Sequence, residues 1–245
     1  MASPTQKNPI KALASFPRGA PLDAPDLQSL GVSTSLATYY VRAGWLARLG
    51  RGVFMFPGDQ LDAAASVKFL SKRLPGLHVG GKTALAWRGV RHNVGPRERL
   101  LLWGEKVAAL PPWFTERFPA RYVSRQLFSS SLPGGFGLQP LPEALTGPDV
   151  SVPERAILEL LAEVGAEQGM EESRNIMEGL RSVRVDVLGT LLEHCPRVKV
   201  VRLCLSLAEE LNLNWAAEVR KLVGSRGRGR WSTKLPDGTS LILKP

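Results

Sequence analysis

Thr34, Ser35, Thr38, Tyr39 and Arg42 are spaced to share one face of a helix. Each carries a group that can hydrogen-bond the edge of a base or a phosphate. Arg42 stands near the end of that helix, where a phosphate is its natural partner. Ser33, just ahead of it, is a suitable N-cap and a secondary phosphate donor. Shortly after, Arg48 and Arg51 lie beside or on a Gly50-Arg51-Gly52 turn, where a cation reaches a DNA backbone or minor groove. The chemistry these types and spacings suggest is recognition of a duplex by a helix and an arginine-tipped ribbon.

A rival chemistry lies at Gly76-Leu-His-Val-Gly-Gly-Lys82-Thr83, which satisfies the GxxxxGK[ST] pattern of a phosphate-cradling loop. That loop needs a buried strand before its first glycine, with backbone N–H groups at a helix N-terminus and a magnesium ligand nearby. Here the preceding VKFLSKRLP reads as a helix stopped by Pro75, and Leu77–Val79 reads as a strand inside the would-be loop. Metal chemistry has less support still. His78, His92 and His194 lack ligand spacing with cysteines or acids. Glu154, Glu159, Glu163, Glu167, Glu171 and Glu172 recur at helical spacing and read as a solvated helix face. No cofactor and no enzymatic activity is expected.

These residues need particular elements to position them. Residues 9–16 suggest a first helix, Gly19, Pro21 and Pro25 a punctuated connection, and Asp26–Ser29 a second helix. Gly31 makes a tight turn into a third helix over 34–43, whose inward stripe is Val32, Leu36, Tyr40 and Leu46. Gly44 ends it, and Trp45–Leu49 with Val53–Phe56 form a β-hairpin. The expected fold is α+β: an N-terminal winged helix-turn-helix domain, 1–58, and a larger mixed α/β C-terminal domain, 59–245. That second part begins with a helix over 62–74. Extended Leu77–Val79, a helix over 83–88 and strands at Arg99–Trp103 and Arg121–Arg125 follow, then a long loop or a pair of short strands through Pro133–Pro142. Ser151-Val-Pro-Glu154 has the capping-box pattern and opens a helix with Ala156, Ile157, Leu160, Leu161 and Val164 inward. Helical patterns recur at 171–181, 184–194, 196–211 and 214–222, and a terminal hairpin is centred on Asp237–Gly238. Cys195 and Cys204 are expected on one helical segment as packed thiols, about 13 Å apart and too distant for a disulfide.

The net charge of +10 is unevenly spread. Residues 1–58 carry six Lys/Arg against two Asp/Glu, 151–219 seven against twelve, and 220–245 seven against one. Cationic ends around an acidic helical block suggest polyanion contacts at both ends. In the tail, Arg226, Arg228 and Arg230 alternate with glycine as a possible nucleic-acid contact, and Trp231 is expected to pack in the terminal hairpin. The composition suits a globular protein without a membrane span, and the N-terminal residues have no apolar signal core, so the expected location is the cytoplasm.

The chain resembles the AbiEi family of antitoxins from type IV toxin–antitoxin systems. The resemblance is carried by GWLARLGRGVFMFPG (44–58), HVGGKTALAWRGV (78–90), SVPERAILELLAEV (151–164) and, more loosely, RVKVVRLCLSLAEEL (197–211), in that order. It implies a winged-helix domain that represses its own operon by binding inverted repeats. It also implies a C-terminal domain that counters a nucleotidyltransferase toxin without forming a stable complex. Lys199 and Arg202 fall in the segment similar to the family's basic C-terminal face and are candidates for an antitoxin face. Two alternatives stay open: a winged-helix regulator whose larger domain binds a ligand or another protein, and a nucleotide-binding enzyme built on Gly76–Thr83.

Overall fold

The computed structural model describes residues 13–90, 99–224, 229–234, 238 and 240–243, without the side chains of Trp231 and Thr233. The expected helix start at 9–12, His92, Arg226, Arg228, Asp237 and the packing of Trp231 therefore lie outside the described residues. The chain divides into two compact units, Met1–Arg73 with Leu110–Phe118, and Leu74–Ala109 with Pro119–Pro245. No described helix is long and apolar enough to cross a membrane.

In the smaller unit, β1 (Leu22–Asp23) runs into α1 (Ala24–Ser29). The sequence pattern predicts the helix from Asp26 but no strand at Leu22–Asp23. Asp23 caps the helix reciprocally with Asp26, at 3.0 and 3.1 Å. Pro25 sits in the first turn, where its missing N–H costs nothing. Gly31, at φ +80°, makes the turn into α2 (Thr34–Arg42). The Ser33 hydroxyl caps α2 by accepting the Leu36 N–H at 3.2 Å. The α2 C-terminus is a Schellman motif: Trp45 N–H donates to Tyr40 O at 2.8 Å and Gly44 N–H to Val41 O at 3.2 Å, with Gly44 at φ +75°. Trp45 stacks on Tyr40, centroids 5.7 Å apart, supplying the apolar contact that accompanies this cap.

The chain then forms β2 (Ala47–Gly50) and β3 (Val53–Met55), with a bulge between Arg48 and Gly50, and β1 closes an antiparallel β1-β3-β2 sheet. Leu22, Leu27, Val32, Ala37, Tyr40, Leu46, Phe54 and Phe56 make one core. α3 (Ala63–Ser71), capped by Asp62, and α5 (Pro112–Thr115) complete this unit. α5 had no sequence expectation. Its Trp113 meets Phe69 edge-on at 6.0 Å.

The larger unit is built on a mixed sheet of order β6-β5-β4-β8-β7, formed by β4 (His78–Val79), β5 (Leu100–Trp103), β6 (Ala120–Val123), β7 (Leu138–Gln139) and β8 (Val150–Ser151). α4 (Gly81–Trp87) and α6 (Pro153–Ala162) pack on each other. α7 (Met170–Glu178), α8 (Val185–Glu193), α9 (Val198–Glu210) and α10 (Ala216–Val223) follow. β9 (Trp231–Lys234) and β10 (Ser240–Leu243) pair antiparallel.

Three expectations for this unit are corrected. Ser151 does not cap α6: it lies in β8, Val152 is the N-cap position, and no side chain caps the helix. Glu154, instead of reaching back along its own helix, takes the Arg184 backbone N–H at 2.9 Å and its guanidinium at 3.0 and 2.9 Å. The acids do not form one solvated face, because α6 is enclosed on nearly all sides: Glu154, Glu159 and Glu163 are buried, and Glu167 and Glu171 are exposed. Cys195 follows α8 in a loop while Cys204 lies on α9, so they do not share a helix. Both thiols are buried and neither is in a disulfide, and burial, with Cys195 nearby, pushes the Cys204 thiol up to about 12.

Candidate nucleic-acid interface

α2 sorts its residues cleanly. Ala37 and Tyr40 are buried in the core, whereas Ser33, Thr34, Ser35, Thr38, Tyr39 and Arg42 are all exposed. Thr38 Oγ1 donates back to Thr34 O at 3.0 Å, and the Ser33 and Ser35 hydroxyls are 3.0 Å apart, which orders these groups at the surface. Tyr39 is 62% exposed, its phenol ring tilted against Tyr40.

The ribbon continues the same surface. Arg51 and Gly52 form its tip, and Gly52 has φ +69°, a backbone that side chains rarely adopt. Arg48 is exposed, its guanidinium 5.6 Å from the Phe54 ring centroid, a cation–π contact that holds the arm over the ribbon. A groove of about 550 Å³ separates α2 from the ribbon, lined by Ser33, Thr34, Thr38 and Arg48 over a floor including Leu27 and Phe54. Gln28, which the sequence pattern does not place on this surface, lines the groove from the end of α1. Its position just before the Gly31 turn is the signal that would have found it.

The glycine-rich segment is organised around a different anion. His78 and Val79 are strand residues pairing with Trp103 and Leu102 of β5, so the segment is no loop. Glu159 is fully buried and fills the N-terminus of α4. It accepts from Gly81 N–H at 3.0 Å, Ser151 Oγ at 2.8 Å and Arg155 Nε at 2.9 Å, and bonds His78 Nε2 at 2.9 Å. Burial opposes its ionisation, but His78 and then Arg155 hold its carboxyl down at about 2. A Cβ on Gly80 would lie 2.5 Å from Glu159 Oε2 and 2.5 Å from Trp103 Cδ1. The glycines thus make room for a protein carboxylate where a nucleotide phosphate would need to sit. Lys82 pairs with Glu172 at 3.3 Å.

Residues 97–239 match the family described as transcriptional regulator, AbiEi antitoxin, type IV TA system. Residues 5–95 match its companion, transcriptional regulator, AbiEi antitoxin N-terminal domain. The chain belongs to the AbiEi antitoxin family. It is therefore a transcriptional regulator and antitoxin of a type IV toxin–antitoxin system, in a family of regulators and not of enzymes. Among solved structures, the RV2827C protein from Mycobacterium tuberculosis shares the fold, with a TM-score of 0.60 and 17% identity over 93% of this chain and 84% of that one. No curated protein matches the chain.

The remaining candidates of this AbiEi chain lie in its larger unit. Lys199, half-buried in the first turn of α9, donates to Val164 O. Arg202, one turn on, is only 2% exposed. It donates to Gly229 O and, at 3.4 Å, to Leu243 O, tying β10 and the segment before β9 to α9. Arg230 is exposed.

Proposed function

We propose that this AbiEi antitoxin represses transcription by docking α2 in the major groove of double-stranded operator DNA, as a winged helix-turn-helix whose wing is the β2–β3 ribbon. One observation carries the reading: the polar residues of α2 share an exposed face while its apolar residues hold the core, and the arginine-bearing ribbon flanks the same groove. Thr34, Ser35, Thr38 and Tyr39 are assigned to base edges. Ser33, Arg42, Arg48 and Arg51 are assigned to backbone or minor-groove contacts. Residues 1–58 form the DNA-binding domain in this reading, and the operator consists of inverted repeats. Residues 59–245 carry the antitoxin role against a nucleotidyltransferase toxin, without a stable complex, in the cytoplasm. Lys199 contributes to that face directly, and Arg202 by holding the terminal strands behind it. Arg226, Arg228 and Arg230 form a further nucleic-acid contact.

The test is binding to the chain's own promoter DNA across a salt series. Arg51→Ala should weaken binding to all sequences alike and reduce the salt slope by about one. Thr38→Ala should leave that slope unchanged and lose discrimination at one base position, by about 1 kcal/mol. An Arg51→Ala protein with an unchanged salt slope removes the ribbon from the interface.

A further inference from the structure

Positive charge is concentrated where α9 begins. Glu163, buried on the turn that follows α6, pairs with Arg125 Nη1 at 2.9 Å and Arg121 Nη1 at 2.5 Å, so one carboxylate holds two guanidinium groups. Lys199 reaches the next carbonyl, Val164 O, and Arg197 occupies the N-cap position of α9. Burial depresses the Lys199 ammonium, Glu163 opposes that, and the Arg125 and Arg197 charges add to the depression. These cations therefore feel one another.

Their placement works against the helix. α9 spans Val198–Glu210, its first turn has no acidic residue, and among the described residues no side chain caps it. Arg197 and Lys199 thus stand at the positive end of the helix dipole, where cations are disfavoured and anions favoured. Beside them opens a groove of about 510 Å³, lined by Arg125, Arg197 and Lys199 and, among the described residues, by no carboxylate. Grooves of about 300–1,000 Å³ are the size that takes small-molecule ligands.

We propose that this groove is a phosphate-binding seat in which Arg125, Arg197 and Lys199 hold the phosphate groups of a nucleotide-sized ligand at the start of α9. Three cations from two segments of the chain offer donors to several oxygens at once, which suits a phosphate better than a single carboxylate. Burial of Glu163 fixes the Arg125 fork without cancelling the charge around it. The same phosphate chemistry is offered by a free nucleotide and by a nucleic-acid strand. The seat does not depend on the duplex reading of α2, and its test reads binding and not neutralisation.

The test uses the full-length protein and calorimetric titration with inorganic pyrophosphate, with ATP, and with a short single-stranded oligonucleotide. Arg197→Glu is the variant, because Arg197 is exposed and its loss leaves the core intact. Lys221→Glu on exposed α10 surface makes the same charge change elsewhere, and thermal melting checks that both variants fold. Binding of pyrophosphate or ATP that falls about tenfold or more in Arg197→Glu, and not in Lys221→Glu, supports a free phosphorylated ligand. Binding of the oligonucleotide alone with that same pattern, and unaffected by Arg51→Ala, supports the seat with a strand as its source. Absence of binding by all three probes, or equal binding by Arg197→Glu and the unaltered protein, overturns the proposal.

Discussion

Glu159 shows how a charged side chain can be a structural part. Every donor around it belongs to a different segment: His78 to β4, Gly81 to α4, Ser151 to β8 and Arg155 to its own helix. Glu159→Gln keeps the shape but leaves Arg155 and its neighbours without the charge they were arranged around. The expected loss is about 3 kcal/mol, read by urea denaturation at neutral pH. The sign of the pH dependence follows from the carboxyl's depression from 4.5 to about 2. Its contribution is fully present above the ordinary 4.5 and is lost as pH falls towards 2. The unaltered protein should therefore lose stability more steeply over that window than Glu159→Gln does. None of this network was legible in the sequence. Glutamates and apolar residues both recur along α6 at helical spacing, and periodicity cannot tell that the helix is covered on its polar side as well. His78 lacks ligand spacing in the sequence, and its partner lies 81 residues away, beyond the reach of any local pattern.

At the scale of elements, local signals were readable and non-local ones were not. Ser33, Gly31 and Gly44 act through their own backbone turns, so the bounds of α2 and the ribbon beyond it follow from neighbours in sequence. β1 is two residues long and exists because Leu22 faces Phe54 and Asp23 faces Val53, a pairing that no short window contains. The GxxxxGK match was the reverse case, a local pattern whose meaning was set from afar. Its glycines serve packing, which makes a prediction: Gly80→Ala should destabilise the protein by about 2 kcal/mol, as an overpacked site does. The methyl would press on the Glu159 carboxylate and the Trp103 ring. Thermal melting reads the effect. A melt indistinguishable from that of the unaltered chain would mean the segment is not packed as described.

At the scale of the whole molecule, the chain is not divided by a single cut. Leu110–Phe118 belongs to the smaller unit although the residues on either side of it belong to the larger one. Trp113 lies against Gly50 of the ribbon, where an added Cβ would come within 3.1 Å of its ring, and it also meets Phe69 of α3. The smaller unit therefore cannot be produced by truncation from one end. A fragment stopping at Arg73 would leave Phe69 and the Gly50 side of the ribbon without their indole cover. It should melt below the intact protein, and adding residues 110–118 as a separate peptide should raise its melting temperature. The loop that returns to cover the ribbon makes the smaller unit dependent on a stretch synthesised well after it. During translation, the ribbon gains its final neighbour only once the chain has grown past Trp113.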